Sequence, residues 1–150
     1  MLLRFWNRLN FCLVDVMYKP RYFSLLELID TSSTTLSNNI PDWDSVGNLL
    51  ILCEKILDPL RDAYGKPLFV NSGYRSRFVN ESVGGVSTSQ HLLGCAADIS
   101  VRSDCSLFKL FELVQELDLP FDQLIYYKKR NFIHVSWSPV PRLQVIVRNG

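Results

Sequence analysis

Apolar residues recur at helical spacing from about residue 24 onward, after a less regular N-terminal stretch. Ser24 followed three positions later by Glu27 matches a capping box, and Leu25, Leu28 and Ile29 supply the apolar face of a short helix. A polar run at residues 31–39 then predicts a loop, because it is rich in serine, threonine and asparagine. The first element is therefore a short helix that ends in a loop.

A second, longer helix is predicted between this loop and Gly65. Asp44 or Ser45 can cap its first turn, and Gly65 can end it. Pro59 should kink or break the helix, because proline donates no backbone hydrogen bond. The apolar residues that recur at helical period are Val46, Leu49, Leu50, Cys53, Ile56, Leu57 and Leu60.

The second half of the chain contains short apolar runs bounded by turn residues, which predict strands. They are Leu68–Val70, residues 96–101, FDQLIYY, FIHVSW and RLQVIVR. FDQLIYY and FIHVSW form a hairpin across KKRN, and Asp104 caps an amphipathic helix that runs to about Leu117. The predicted fold class is α+β, with helices packed on a small antiparallel sheet that carries His134 on its inner face.

Residues 1–16 are treated as an N-terminal extension, with residues 17–150 forming one domain. The extension is apolar but interrupted by charged and amide side chains, so it is too short and broken for a membrane span and lacks a cleavage site. Two interpretations stay open: a spare amphipathic helix, or a native start at Met17. We favour the start at Met17 and expect no stable membrane insertion.

Composition excludes several classes of protein. The net charge of +1 gives no electrostatic footprint for nucleic acid, and no repeat is visible. The four cysteines lack the spacing of a disulfide framework or a zinc knuckle, which favours buried thiols. We expect a monomer that does not bind nucleic acid.

Candidate chemistry is concentrated in residues 71–100, where His91 and Asp98 lie seven positions apart around Gly94. With His134 they match the three protein ligands of an open catalytic zinc site. A helix would separate His91 from Asp98 by about 10 Å of rise, whereas a loop turning at Gly94 can bring them together. Taken singly, each residue could be structural, and Cys95 is an alternative ligand.

The motifs SGYRS, VGG, SQHLLGCAADI, FDQLI and FIHVSW, in this order over about residues 18–148, resemble the zinc D-alanyl-D-alanine carboxypeptidase family. This family of peptidase M15 type has the hedgehog/DD-peptidase fold and includes compact peptidoglycan hydrolases. The resemblance implies that His91, Asp98 and His134 hold Zn²⁺. It also implies that Arg75 stabilises the developing oxyanion and that Ser89 and Gln90 bind substrate.

One catalytic part departs from the family pattern. Relatives commonly place a carboxylate base three residues before the final histidine, where this chain has Asn131, and an amide cannot accept a proton at neutral pH. Asp122 is the nearest substitute. If Tyr127 pairs with Phe132, Asp122 points away from the metal face, and a slip by one residue reverses this. Asp122 is therefore either the base or a structural carboxylate.

Three functions remain as hypotheses. The first is a zinc metallopeptidase that cuts peptidoglycan stem peptides, as a D-Ala-D-Ala carboxypeptidase or an endolysin-like endopeptidase from a bacterium or a phage. The second is a zinc-retaining peptidoglycan-binding module with little or no catalysis. The third is a protein that uses zinc only for structure. The first two act on the bacterial cell wall, and a phage enzyme would stay cytoplasmic until lysis.

Overall fold

The computed structural model describes residues 18–103 and 105–150. The interpretations of residues 1–16 and the cap proposed at Asp104 lie outside these residues. The helices are α1 (Leu25–Ile29), α2 (Trp43–Leu52), α3 (Asp58–Tyr64), α4 (Arg77–Ser82) and α5 (Leu107–Glu116), with short 3₁₀ turns at Leu36–Asn38 and Gln90–Leu93. The strands are β1 (Phe69–Ser72), β2 (Ala96–Ser100), β3 (Phe121–Tyr127), β4 (Phe132–Trp137) and β5 (Gln144–Arg148).

The helix caps among the described residues follow the predicted chemistry, with one change in position. The capping box of Ser24 and Glu27 is present at the start of α1. Helix α2 begins earlier than predicted, because the Asp42 carboxylate accepts the Ser45 N–H and so caps the helix in place of Asp44 or Ser45. In the described residues, α5 is capped by Ser106, whose hydroxyl accepts the Lys109 N–H.

The long helix is continuous, and its predicted distortion takes the form of a π-helical turn. This turn, Cys53–Leu57, joins α2 to α3 directly before Pro59. A wider turn accommodates a proline that cannot donate the usual backbone hydrogen bond. Helix α3 ends at Gly65, as predicted, with a left-handed backbone at φ 73°.

The five strands form one sheet in the order β1-β2-β4-β3-β5. The first three neighbouring pairs are antiparallel, but β5 runs parallel to β3, which corrects the expectation of a purely antiparallel sheet. The reason lies in the connection after β4. Strand β4 ends beside Phe121, the first residue of β3, so the short segment at residues 138–143 passes that end and returns alongside β3.

The hydrophobic core lies between one face of the sheet and the helices. The core cluster includes residues of the long helix, of α5 and of the sheet, and five of its fully buried members are Leu49, Ile56, Leu60, Leu110 and Ile133. The opposite face of the sheet carries polar residues and the candidate site. In residues 18–103 and 105–150, no helix combines the length and apolar character needed to cross a membrane. The α+β fold class is confirmed.

Candidate metal centre

The three predicted metal ligands meet at one point. Asp98 on β2 and His134 on β4 are directly paired across the two strands, which places both side chains on the same face. His91 approaches from the 3₁₀ turn at Gln90–Leu93. Their potential ligand atoms all lie within 4.8 Å of one another, and in the described part of the chain no other such group is found.

The backbone at Gly94 allows His91 to reach this point. Gly94 has φ +70°, and a Cβ atom at this position would lie 2.3 Å from the Ser45 carbonyl oxygen on α2. Glycine therefore satisfies both the left-handed backbone and the close contact with the helix. The predicted turn at Gly94 is confirmed.

The distances between the ligand atoms suit a small tetrahedral ion. His91 Nε2 and His134 Nδ1 lie 3.2 Å and 2.9 Å from Asp98 Oδ1, and 3.2 Å from each other. Ligands bound to zinc at about 2.0–2.1 Å with tetrahedral angles would lie about 3.3 Å apart. The donor set of two imidazoles and one carboxylate therefore fits Zn²⁺ and leaves a fourth position for another ligand.

Hydrogen bonds from neighbouring residues orient two of the metal ligands, His91 and Asp98. His91 Nδ1 lies 2.6 Å from the Gly73 carbonyl oxygen, and because a carbonyl can only accept, Nδ1 carries the proton and Nε2 keeps its lone pair for a metal. Arg75 Nη2 donates to Asp98 Oδ2 at 2.5 Å, while Arg75 Nε donates to Ser72 Oγ at 2.7 Å. The contacts to His91 Nδ1 and to Asp98 Oδ2 orient these two ligands and leave His91 Nε2 and Asp98 Oδ1 free to face a metal.

The surroundings of His91 and Asp98 favour the deprotonated forms of these two ligands. Burial of the ring lowers the pKa of His91, although Asp98 opposes the shift. Burial alone would raise the pKa of Asp98, but electrostatic interactions with the neighbouring histidines hold this pKa below its usual range. Ligands that remain deprotonated can bind a cation without first releasing protons to water.

A cleft of about 760 Å³ opens over the three ligands and crosses the sheet. Its lining includes Ser72 on β1, the ligands on β2 and β4, and Gln123 on β3. The predicted substrate residues Arg75, Ser89 and Gln90 also line it, so these positions lie where a substrate could reach them. Their roles in binding and catalysis stay predictions.

Asp122, the proposed base, lies outside the cluster of metal ligands. The hairpin pairs Tyr127 with Phe132 and Ile125 with His134, as in the first of the two registers considered, but the pairing shifts between Phe121 and Leu124, so this register does not fix the face that Asp122 occupies. Asp122 does not belong to the ligand cluster or to the cleft lining, and its carboxylate binds the guanidinium and backbone N–H of Arg142. Hydrogen bonding to Arg142 lowers the pKa of Asp122, which makes the carboxylate a weaker base. Its catalytic role stays a prediction that these contacts disfavour.

Asn131 also lies outside the cleft lining, although its neighbours Arg130 and Phe132 belong to it. It is exposed in the turn before β4 and has φ 54°. Among the described residues that line the cleft, the only carboxylate is the metal ligand Asp98. The described cleft lining therefore offers no second carboxylate for the role of base, and the assignment of that role to Asp122 stays a prediction.

Three supporting residues were not identified from the sequence. Asn39 is fully buried, and its amide donates to the carbonyls of Ile29 and Tyr74 while its oxygen accepts the Ser76 N–H, which fixes the loop that carries Arg75. Nothing in the polar run around Asn39 distinguished it. Gly73, directly after β1, and Arg142, between proline and strand, had only weak local signals.

Comparisons with known proteins agree with this geometry. The family model described as Peptidase M15 matches residues 22–136, which include the three ligands and Arg75. The chain is 36% identical over 91 residues to a protein of Streptomyces albus G named zinc D-Ala-D-Ala carboxypeptidase. That alignment covers 59% of this chain and 35% of the relative, so the chain spans about a third of the relative's length. Because the family model covers most of the sequence, the chain belongs to the peptidase M15 family.

Proposed function

We propose that this protein is a zinc metallopeptidase that hydrolyses a peptide bond in peptidoglycan stem peptides. The observation that carries the proposal is the convergence of His91 Nε2, Asp98 Oδ1 and His134 Nδ1 at spacings suited to zinc, within a cleft of peptide-binding size. Family membership and the name of the Streptomyces albus G relative support the choice of substrate.

His91, Asp98 and His134 would hold the zinc ion. When bound, zinc would act as a Lewis acid that polarises the scissile carbonyl and lowers the pKa of a water molecule. Arg75 keeps Asp98 oriented, and its guanidinium also lines the cleft, where it can stabilise negative charge that develops on the carbonyl oxygen. Ser89 and Gln90 would position the peptide beside His91.

The cleft extends to both sides of the metal ligands. In the sheet order, β1 lies on one side of the ligand-bearing strands β2 and β4, and β3 lies on the other side. Residues of both β1 and β3 line the cleft. A peptide could therefore be held on each side of the scissile bond. This supports an endolysin-like endopeptidase as well as a carboxypeptidase that removes a terminal D-alanine.

One observation favours a second candidate function. The cleft lining has no carboxylate besides the ligand Asp98, and Asn131 replaces the expected base. A protein with this arrangement could retain zinc and bind the peptide with little or no catalysis, as a peptidoglycan-binding module. Either function would be performed at the bacterial cell wall, by a monomer that binds no nucleic acid.

Zinc content and peptidoglycan digestion test these alternatives together. We expect one zinc per chain and release of stem-peptide fragments, with both lost in His91→Ala and zinc retained in Asp122→Asn. Mass spectrometry of the products separates loss of a terminal D-alanine from cleavage inside a peptide. Stoichiometric zinc without cleavage would favour the binding module, and absence of zinc would refute the proposal.

A further inference from the structure

The guanidinium of Arg142 lies at the edge of the cleft in a fixed position. Its Nε and Nη2 atoms form a two-pronged contact with Asp122, at 3.0 Å from Nε to Oδ1 and 2.6 Å from Nη2 to Oδ2. The backbone N–H of Arg142 also donates to Oδ1 at 3.0 Å. Three contacts to one carboxylate restrain both the backbone and the side chain.

The two partners differ sharply in exposure. The Asp122 side chain is 3% exposed, whereas the Arg142 side chain is 59% exposed and lines the cleft. The side chain of Gln90 also contacts Asp122. The buried carboxylate thus holds the guanidinium at the cleft while remaining shielded from a ligand itself.

Part of the guanidinium remains available. Because Asp122 uses the edge formed by Nε and Nη2, the other edge keeps N–H groups on Nη1 and Nη2 that form no hydrogen bond within the part of the chain that the structure describes. Two parallel N–H groups match the two oxygens of a carboxylate. Arginine can therefore bind Asp122 on one edge and a ligand on the other.

The charge of the cleft supports an anionic ligand. Its lining includes Arg75, Arg130 and Arg142, with Asp98 as the only carboxylate among the described lining residues. The formal charge remains positive when the buried Asp122 is also counted. A cleft lined by one sign of charge attracts ligands of the opposite sign.

Arg142 lies close to the metal ligands along the sheet. Asp122, its partner, precedes Gln123, and Ile125 two residues further on is paired with His134. Strands rise about 3.4 Å per residue, so the three residues from Asp122 to Ile125 span about 10 Å. An extended peptide covers this length with about three residues.

We propose that Arg142, held in place by Asp122, is a specificity-determining residue that binds a carboxylate of the stem peptide about three residues from the scissile bond. This inference rests on the proposed peptidoglycan substrate. The carboxylate belongs either to an acidic residue within the stem or to the free terminus of the peptide, and the guanidinium chemistry is the same for both.

The test uses stem pentapeptides whose scissile amide is replaced by a reduced bond, so that binding to the full-length, zinc-loaded protein is measured without cleavage. One analogue has its terminal carboxyl converted to a carboxamide, and a second has its internal carboxyl converted. We expect one conversion to weaken binding about 10- to 100-fold, since a charge-assisted contact is lost. The affected analogue identifies which carboxylate Arg142 binds.

Arg142→Gln should weaken binding of the parent peptide by a similar factor. It should also remove the difference in affinity between the parent peptide and the affected carboxamide analogue. Because this variant leaves Asp122 buried without its partner, the double variant Asp122→Asn/Arg142→Gln provides the same test in a site without an unpaired charge. Arg148→Gln is the matched control, since Arg148 is exposed on β5 and outside the cleft lining, and it should discriminate like the wild type.

The inference would be overturned if the wild type bound the parent peptide and both carboxamide analogues equally well. It would also be overturned if the double variant still bound the parent peptide more tightly than an analogue. Absence of measurable binding by every peptide would overturn it as well. The proposed peptidase activity is judged separately with the cleavable pentapeptide. Discrimination that depends on Arg142, without cleavage, would support this subsite and refute only the catalytic function.

Discussion

Gly73 connects the fold to the metal centre, and its replacement by alanine tests this connection. A Cβ atom at Gly73 would lie 2.1 Å from the Leu28 carbonyl oxygen of α1, whereas ordinary van der Waals contact is about 3.5 Å. The obstructing atoms are backbone atoms of Leu28, a fully buried residue, and they cannot rotate away as a side chain could. The backbone at Gly73 must therefore move by about 1 Å or more.

This movement acts directly on a metal ligand. The Gly73 carbonyl oxygen accepts the His91 Nδ1–H at 2.6 Å, and a shift of about 1 Å away from the ring takes the contact beyond the usual range of about 3.2 Å. Loss of such an outer contact typically lowers metal affinity about 10- to 100-fold, or about 1.4–2.8 kcal/mol. The steric strain should also cost about 1–3 kcal/mol of folding free energy.

Two measurements check the prediction for Gly73→Ala. Competition with a chelator should show the weaker zinc affinity, and thermal unfolding of the zinc-free protein should show a melting temperature lower by about 2–4 °C per kcal/mol. Gly47→Ala is the matched control, because Gly47 lies within α2 and a Cβ there meets nothing within 4 Å. It should bind zinc normally and be slightly more stable. Wild-type zinc affinity in Gly73→Ala would refute the reasoning.

Further predictions concern the guanidinium contacts, acid stability, thiol reactivity and the missing base. Arg75→Lys keeps the charge but cannot contact Asp98 and Ser72 together, so zinc affinity should fall about 10-fold by chelator competition, and unchanged affinity would exclude an orienting role. Arg142 lowers the pKa of Asp122 in the folded protein below the value of about 3.9 for an unfolded chain. The ionised Asp122 should therefore stabilise the folded protein above about pH 3.9, and this stabilisation should be lost as the pH falls through the lower pKa of the folded state. Acid unfolding followed by circular dichroism should therefore depend less steeply on pH in the double variant Asp122→Asn/Arg142→Gln than in the wild type, and identical curves would contradict this. Burial raises the pKa of Cys53 to about 12, so mass mapping after alkylation of the folded protein at pH 8 should find this residue unmodified. Asn131→Asp should change kcat/KM less than about twofold, because aspartate tolerates φ 54° and this exposed position does not line the cleft; a large increase would show that the turn can deliver a base.

The ligand set could be predicted because its geometry depends on rules that act locally. Asp98 and His134 lie in apolar runs that read as strands, and neighbouring strands place paired residues on one face. Gly94 indicated a turn that would bring His91 back towards Asp98. The residue types and the family resemblance indicated the three ligands, and the pairing of β2 with β4 in the structure places Asp98 beside His134.

The direction of β5 and the surroundings of Asp122 depend on features without a sequence period. The strand pattern of RLQVIVR does not specify whether its neighbour runs parallel or antiparallel. The pairing of β3 with β4 shifts between Phe121 and Leu124, and this irregularity includes Asp122. A shift of one residue changes the face that a side chain occupies, so its contacts follow only from the folded sheet.

The different origins of the metal centre and the cleft edge explain why they were unequally predictable. The metal ligands are chemically distinctive, since the chain has only two histidines and both participate. The cleft edge is formed by Arg130 in a turn and Arg142 in a connection, where arginine is ordinarily a solvated surface residue. What distinguishes Arg142 is its partner Asp122, a carboxylate buried on β3. Asp122 contacts Arg142 through three hydrogen-bonding groups, so in our proposal it acts by positioning that guanidinium, whereas its role as a base stays a prediction.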